Sequence, residues 1–267
     1  MARALQKGAG DVHLTGKLGA YSYKIEDSVY SVSDSVNTLR FPIASTFGEG
    51  STGQTWLFQR DGIWQESRVS YFAGLKGLDL TIGQQPAAVH TLEEAAGRPV
   101  PASEARRCFG CHATGETPGV QCERCHGATE RHLENPAAVP ARLGKLSTED
   151  LVNFCGECHR TWSQISIDGP RGVQNVRFQP YRLANSKCYD AADARIRCTA
   201  CHNPHQPLET NLGAYDVKCQ ACHAASIHAT EKKDCVTCHM PPVELPGAHG
   251  AFTDHRIRIV KGDGYPD

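Results

Sequence analysis

The sequence predicts a chain in two parts. Residues 1–100 read as a β-rich N-terminal part, and residues 101–267 as mostly loops and short helices gathered around bound groups. Three observations point there. Apolar residues alternate repeatedly before residue 90, and all 13 Cys lie beyond residue 107. With aromatic residues at 7% and only 2 Met, ordinary side-chain packing is thin for 267 residues. Something other than side chains has to fill part of the interior.

The strands come first. Tyr21, Tyr23 and Ile25 alternate, as do Trp56 with Phe58 and Val69 with Tyr71, at the period of a half-buried strand. Asp61-Gly62, between Trp56–Gln59 and Ile63–Tyr71, has the composition of a two-residue hairpin turn. We expect a small β-unit that caps a neighbouring domain. Thr91-Leu-Glu-Glu94 and Ser147-Thr-Glu-Asp150 read as helix N-termini, the second opening a helix through Leu151 and Phe154. Gly97, Pro99 and Pro101 mark the boundary near residue 100.

Past that boundary the cysteines follow one pattern: Cys108-Phe-Gly-Cys111-His112, Cys122-Glu-Arg-Cys125-His126, Cys155-Gly-Glu-Cys158-His159, Cys198-Thr-Ala-Cys201-His202, Cys219-Gln-Ala-Cys222-His223 and Cys235-Val-Thr-Cys238-His239. These six copies of CxxCH use 12 of the 13 Cys. Zinc knuckles, redox disulfides and disulfide scaffolds also use paired cysteines, but none of them needs a His after every second one. With 13 His in 267 residues, six in a row by chance has odds of about one in 10⁸. The chemistry of c-type haem explains the spacing. Two thiols add to the two vinyl groups on one porphyrin edge, and the adjacent His supplies the proximal iron ligand.

Six covalent haems c would share residues 108–267, roughly 27 residues each, so the porphyrins would form much of the core. The fold class is then a multihaem cytochrome c. The short intervals 113–121, 203–218 and 224–234 make the first two haems and the last three the expected close neighbours.

Distal ligands have to come from elsewhere. Met1 is terminal and Met240 directly follows His239, so Met contributes little and His remains. The candidates outside the motifs are His13, His90, His132, His205, His228, His249 and His255, and six of these seven would complete bis-His ligation. Pro204 is expected to hold His205 on an extended segment aimed at a neighbouring haem. His132 follows the second motif, and His228 lies between the fifth and sixth. His249 and His255 lie in a motif-free tail that must cover haem faces. His13 and His90 lie in the Cys-free region, where plain surface histidines are equally expected. Cys188 is left over: a small buried residue, or a thiol that ligates an iron or stands beside an open one.

The formal charge of −1 gives no reason to expect nucleic acid or an anionic membrane as partner, and no apolar run approaches a membrane span. Six haems with ionised propionates take the charge to about −7 oxidised and about −13 reduced, which suits a basic or redox partner. Thioether attachment takes place outside the bacterial cytoplasm. Met1-Ala-Arg-Ala-Leu-Gln shows no apolar signal region, so the expectation is a periplasmic or extracellular protein whose export signal was removed or lies outside this sequence.

Segments Cys108–Thr114, Gly119–Gly127, Val176–Tyr189, Cys198–His205 and Phe252–Ile257, with the Gly-Gln-Thr-Trp stretch at Gly53–Trp56, resemble exported multihaem cytochromes of the cytochrome c-554 type, common in acidobacteria. The resemblance covers nearly the whole chain and implies electron transfer. It also implies that His132, His205, His249 and His255 are distal ligands. Similar chains carry a further CxxCH before a segment like Met1–Leu5, which implies room for one more haem, with His13 a candidate ligand for it. The family shades towards hydroxylamine oxidoreductase and octahaem reductases, which are enzymes. This sequence departs from the reductases with a Lys-ligated haem, since every motif ends in His.

The expected function is a soluble, exported hexahaem cytochrome that passes electrons along closely packed bis-His haems to other redox proteins, or to copies of itself through exposed haems. One rival is an oxidoreductase acting on a small nitrogen or sulfur oxyanion at a five-coordinate haem, with Cys188 beside it as the candidate catalytic residue. The other is a subunit of a haem-protein filament.

Overall fold

A computed structural model of the chain describes residues 3–127, 130–135, 137, 143–223, 233–260 and 265. These form two compact units, one of Met1–Ala141 with Pro246–Gly250, the other of Arg142–Leu245 with Ala251–Asp267.

The first unit is built on an antiparallel sheet of ten strands: β1 (Leu5–Lys7), β2 (Leu14–Leu18), β3 (Tyr21–Glu26), β4 (Val29–Ser33), β5 (Thr38–Phe47), β6 (Gly53–Arg60), β7 (Ile63–Ser67), β8 (Val69–Phe72), β9 (Gly77–Leu80) and β10 (Gly97–Pro99). The main path runs β10-β7-β6-β5-β4-β3-β2, with β1 on β5 and the β8–β9 hairpin branching from β6. The branch curls the sheet over: Leu78 of β9 meets Gly16 of β2 so closely that a Cβ there would touch it. The alternation is as the sequence predicts. Tyr21, Tyr23 and Ile25 point inward with Trp56, Phe58 and Val69, joined by Tyr30 and Val32, in one continuous apolar core. Asp61 and Gly62 both take positive φ, the turn that matches strand twist, and Arg60 pairs with Ile63.

The sheet is a larger element than the expected small cap. Its core is closed by helix α1 (Leu92–Ala96), whose Ala95 and Ala96 are buried in it. Thr91 caps α1 by accepting from the Glu94 amide. Strand β10 and helix α2 (Ala102–His112) then pack on the sheet through Leu57, Val100 and Ala105, with Phe47, Trp64 and Phe109 around them. The first compact unit therefore continues to Ala141, past the Pro-marked boundary near residue 100. After α2 come a small ladder, β11 (Ala113–Thr114) with β12 (Thr117–Pro118), and helices α3 (Cys122–His126) and α4 (Glu130–Glu134).

The second unit consists of short helices and loops, as expected of this half. Its helices are α5 (Thr148–His159), α6 (Trp162–Asp168), α7 (Gln179–Ala184), α8 (Cys198–Cys201), α9 (Asp216–Gln220) and α10 (Cys235–His239), followed by the ladder of β13 (Pro242–Glu244) with β14 (Ala251–Thr253). Ser147 caps α5 as predicted. One local expectation fails. Asn203-Pro204-His205 is a turn, because Asn203 accepts from the His205 amide with its side chain and from the Gln206 amide with its carbonyl. Asn followed by Pro at the second turn position favours that geometry over an extended run.

Candidate functional site

Every CxxCH motif begins on a helical turn: the first at the end of α2, the second on α3, the third at the end of α5, the fourth on α8, the fifth on α9 and the sixth on α10. The reason is geometric. Residues three and four apart share a helix face, so one turn presents both thiols and the His together. All twelve motif cysteines are exposed or half-buried rather than sealed in a core. Among the described residues, no three His, Cys, Asp or Glu side chains converge as a zinc site would need. The donor set fits thioether-bound haem.

In the first unit the sheet positions the first motif. Phe109, inside that motif, lies 5.6 Å from both Phe47 and Trp64, and the His112 ring meets the Phe47 edge at 5.0 Å. His112 Nδ1 donates to the Ala4 carbonyl at 3.0 Å. A carbonyl only accepts, so the proton sits on Nδ1 and the Nε2 lone pair is left for a metal. A cavity of about 360 Å³ opens beside the motif, lined by Leu5, Trp64, Phe109, Ala113 and Pro118 among others. The β11–β12 hairpin brings the second motif close behind. Thr114 Oγ1 ties its ends by donating to the Gly119 carbonyl and accepting from the Gln121 amide.

In the second unit four motifs converge. The thiols of Cys155 and Cys198 are neighbours across the third and fourth motifs, and those of Cys219 and Cys235 across the fifth and sixth. Asp216, first residue of α9, accepts from the Asp234 and Cys235 amides and so joins the fifth motif to the sixth. The third and fourth motifs adjoin although residues 160–197 separate them in sequence, because α5 packs on α8. Spacing alone does not show that contact. His239 Nδ1 donates to the Arg258 carbonyl at 2.9 Å, the same arrangement as at His112.

The distal candidates fare differently. His255 is half-buried, its Nδ1 donating to the Thr253 carbonyl at 2.9 Å, and its ring centre lies 6.1 Å from that of His202. Burial drives the His255 imidazole down to about 4, so it is neutral and able to ligate at ordinary pH. His202 is also held below its usual range by burial, with His159 nearby. His249 is turned to the sheet, its Nε2 donating to Asp79 at 2.6 Å. His13 stands 3.5 Å from Glu26 on the sheet surface, and His90 is exposed before α1. His205 lies in the exposed turn after the fourth motif, and His132 lies half-buried on α4. His228 lies outside the described residues. Cys188 is half-buried near Cys219 and Cys222, and burial pushes its thiol up, away from the thiolate.

A buried polar cluster escaped the sequence reading. Arg182 of α7 and Asp254 are both fully buried and meet as a two-pronged pair, at 2.8 and 2.9 Å. Arg182 also donates to Asn175 at 3.2 Å and lies 4.4 Å over the Tyr265 ring, while Arg258 and the Arg256 amide donate to Asp254. Burial pushes the Asp254 carboxyl up, but the Arg182 fork, the Arg256 amide and Arg258 outweigh it and hold it below the usual carboxylate range. No periodicity marks these residues. They stand out only as charged positions within Val176–Tyr189 and Phe252–Ile257, two of the segments that carry the family resemblance.

No family model matches the chain. It is 26% identical over 152 residues, 51% of this chain, to the multiheme cytochrome MtrA of Shewanella baltica (strain OS185). That stretch spans 38% of the relative's length. The crystal structure of the outer cell wall cytochrome OcwA matches with a TM-score of 0.50 at 15% identity, over 82% of this chain and 68% of that one. Among the described residues no helix is long and apolar enough to cross a membrane.

Proposed function

We propose that this chain, a multihaem c-type cytochrome with covalently bound haem c, carries electrons along six haems in a respiratory chain outside the cytoplasm. The observation that carries the reading is six CxxCH motifs, each opening on a helical turn, with the third packed against the fourth and the fifth against the sixth. When bound, haem c supplies a one-electron ferric–ferrous couple. The protein supplies the rest. The paired thiols of each motif would anchor one porphyrin edge, and the adjacent His would ligate the iron. The Ala4 carbonyl holds the proton of His112 on Nδ1, which would leave Nε2 to the iron. Packing the third motif against the fourth and the fifth against the sixth would set the groups they hold side by side, as one-electron transfer between them requires.

Electron carriage of this kind requires no acid, base or nucleophile from the protein. Other redox proteins are the fitting partners. The requirements of thioether attachment favour the periplasm or the cell exterior.

The test is a haem count by pyridine haemochrome on a sample whose ferric EPR spectrum is also recorded. Six haems per chain with only low-spin signals is the expected result. A substantial high-spin signal that shifts when nitrite, sulfite or hydroxylamine is added would replace the carrier with an oxidoreductase.

A further inference from the structure

Asp254 of the buried Arg182–Asp254 pair immediately precedes His255, whose ring lies beside that of His202. Two metal–imidazole bonds of about 2 Å, with roughly 1.2 Å from each nitrogen to its ring centre, put the rings of a bis-His site about 6 Å apart. The His202 and His255 ring centres are 6.1 Å apart. Their Nδ1 atoms are engaged elsewhere. That of His255 donates to the Thr253 carbonyl at 2.9 Å. Tyr215 donates its hydroxyl hydrogen to the Glu209 carbonyl at 3.0 Å, so at 3.5 Å its oxygen accepts from His202 Nδ1. Each imidazole thus keeps its Nε2 lone pair for a metal.

His255 is also held unusually firmly for a residue outside a helix or strand. The carboxylate of the preceding residue is gripped by the Arg182 fork and by Arg258. Its own carbonyl accepts from Ser186 Oγ at 3.2 Å, and Ser186 accepts from the Ile257 amide at 2.8 Å. A fully buried ion pair is weak evidence of added stability, since desolvation offsets much of the attraction. It is a good way to fix one geometry, and here the geometry fixed is that of an imidazole.

We propose that His255 is the distal ligand of the iron held by Cys198, Cys201 and His202, and that Arg182 and Asp254 are positioning residues that set its ring opposite His202. This rests on the haem-carrying reading and adds to it an assignment of one iron to one distal side chain.

The experiment uses the haem-loaded full chain. In His255→Ala, six haems are expected to remain by pyridine haemochrome, while one sixth of the iron turns high-spin by EPR. His255→Met offers a thioether in its place. It is expected to keep every iron low-spin and to raise one midpoint potential, since Met ligation raises haem potentials. It also serves should the alanine variant fail to accumulate. The assignment is tested by removing the fourth attachment site with Cys198→Ser and Cys201→Ser. On that five-haem background, His255→Ala should add no further high-spin iron. Arg182→Lys keeps the charge but loses the fork, and should perturb the EPR signal of that one haem while the other five are unchanged.

A wild-type chain with fewer than six haems would overturn the function proposed above. A six-haem His255→Ala protein that stays fully low-spin would overturn this proposal alone. So would unchanged potentials in His255→Met, additive high-spin iron on the five-haem background, or an unperturbed signal in Arg182→Lys.

Discussion

Gly97 sits between α1 and β10 at φ 151° and ψ −165°, a region of backbone space used almost only by glycine. A Cβ there would run into the Glu66 carbonyl of the neighbouring strand β7. Gly62, in the β6–β7 turn, also has positive φ, but nothing lies within 4 Å of where its Cβ would be. The two glycines separate steric cost from backbone cost. Gly62→Ala should cost about 1 kcal/mol, for the left-handed backbone alone. Gly97→Ala should cost at least ~2 kcal/mol, because strain and the clash with main chain add. Denaturant unfolding of both variants checks this, and equal losses would show that β7 yields to the new Cβ. At this scale the sequence is legible where one dipeptide dictates one turn, as with Asp61-Gly62. It is silent where the constraint comes from a strand thirty residues away, as with Gly97. The ring nitrogens follow the same rule: His255 and His249 look alike in the tail, yet one donates to its own loop and the other to a sheet carboxylate.

At the scale of elements, helix α2 carries the first motif and is clamped to the sheet by charge as well as by Phe109. Arg98 of β10 donates to Glu66 of β7 at 2.8 Å and to Glu104 of α2 at 3.0 Å. The Arg98 hydrogen bond holds the Glu104 carboxyl below the usual range against the opposing effect of burial. A carboxyl depressed on folding contributes stability that is present above its unfolded value of about 4.3 and lost as pH falls through its lower folded value. The groups are partly exposed, so the contribution is screened and modest. Glu104→Gln should therefore lower stability by about 0.5–1 kcal/mol at pH 7 and by distinctly less at pH 3, where the unfolded carboxyl is protonated. Thermal unfolding of both proteins at the two pH values checks it, and a pH-independent loss would mean that packing, not charge, was disturbed. The capping residues Thr91 and Ser147 were legible because the partner of a cap lies three residues on. The clamps of Arg98 on Glu104 and of Asp216 on the α10 amides were not, since their partners are set by tertiary structure.

At the scale of the whole molecule, each of the two units has its own kind of interior. Among the described residues both apolar core clusters lie in the sheet unit, from Tyr23 and Trp56 to Leu57 and Val100. The four-motif unit buries far less apolar surface, chiefly Leu151, Val152, Ile165, Val176, Tyr181 and Leu183 on and around α5–α7. That asymmetry is what the sequence implied when it placed the aromatic alternation before residue 90 and the cysteines after residue 107. The size of the sheet was not legible, because β1, β9 and β10 are too short to show a period of their own. It follows that porphyrin should be a main core material of the second unit and only an addition to the first. Replacing the eight CxxC cysteines of the last four motifs by Ser should leave the β signal in far-UV circular dichroism. Limited proteolysis should then cut within residues 148–245 while residues 5–120 stay protected. Simultaneous loss of both regions would mean that the sheet depends on the attached haems for its own stability, which its continuous aromatic core argues against.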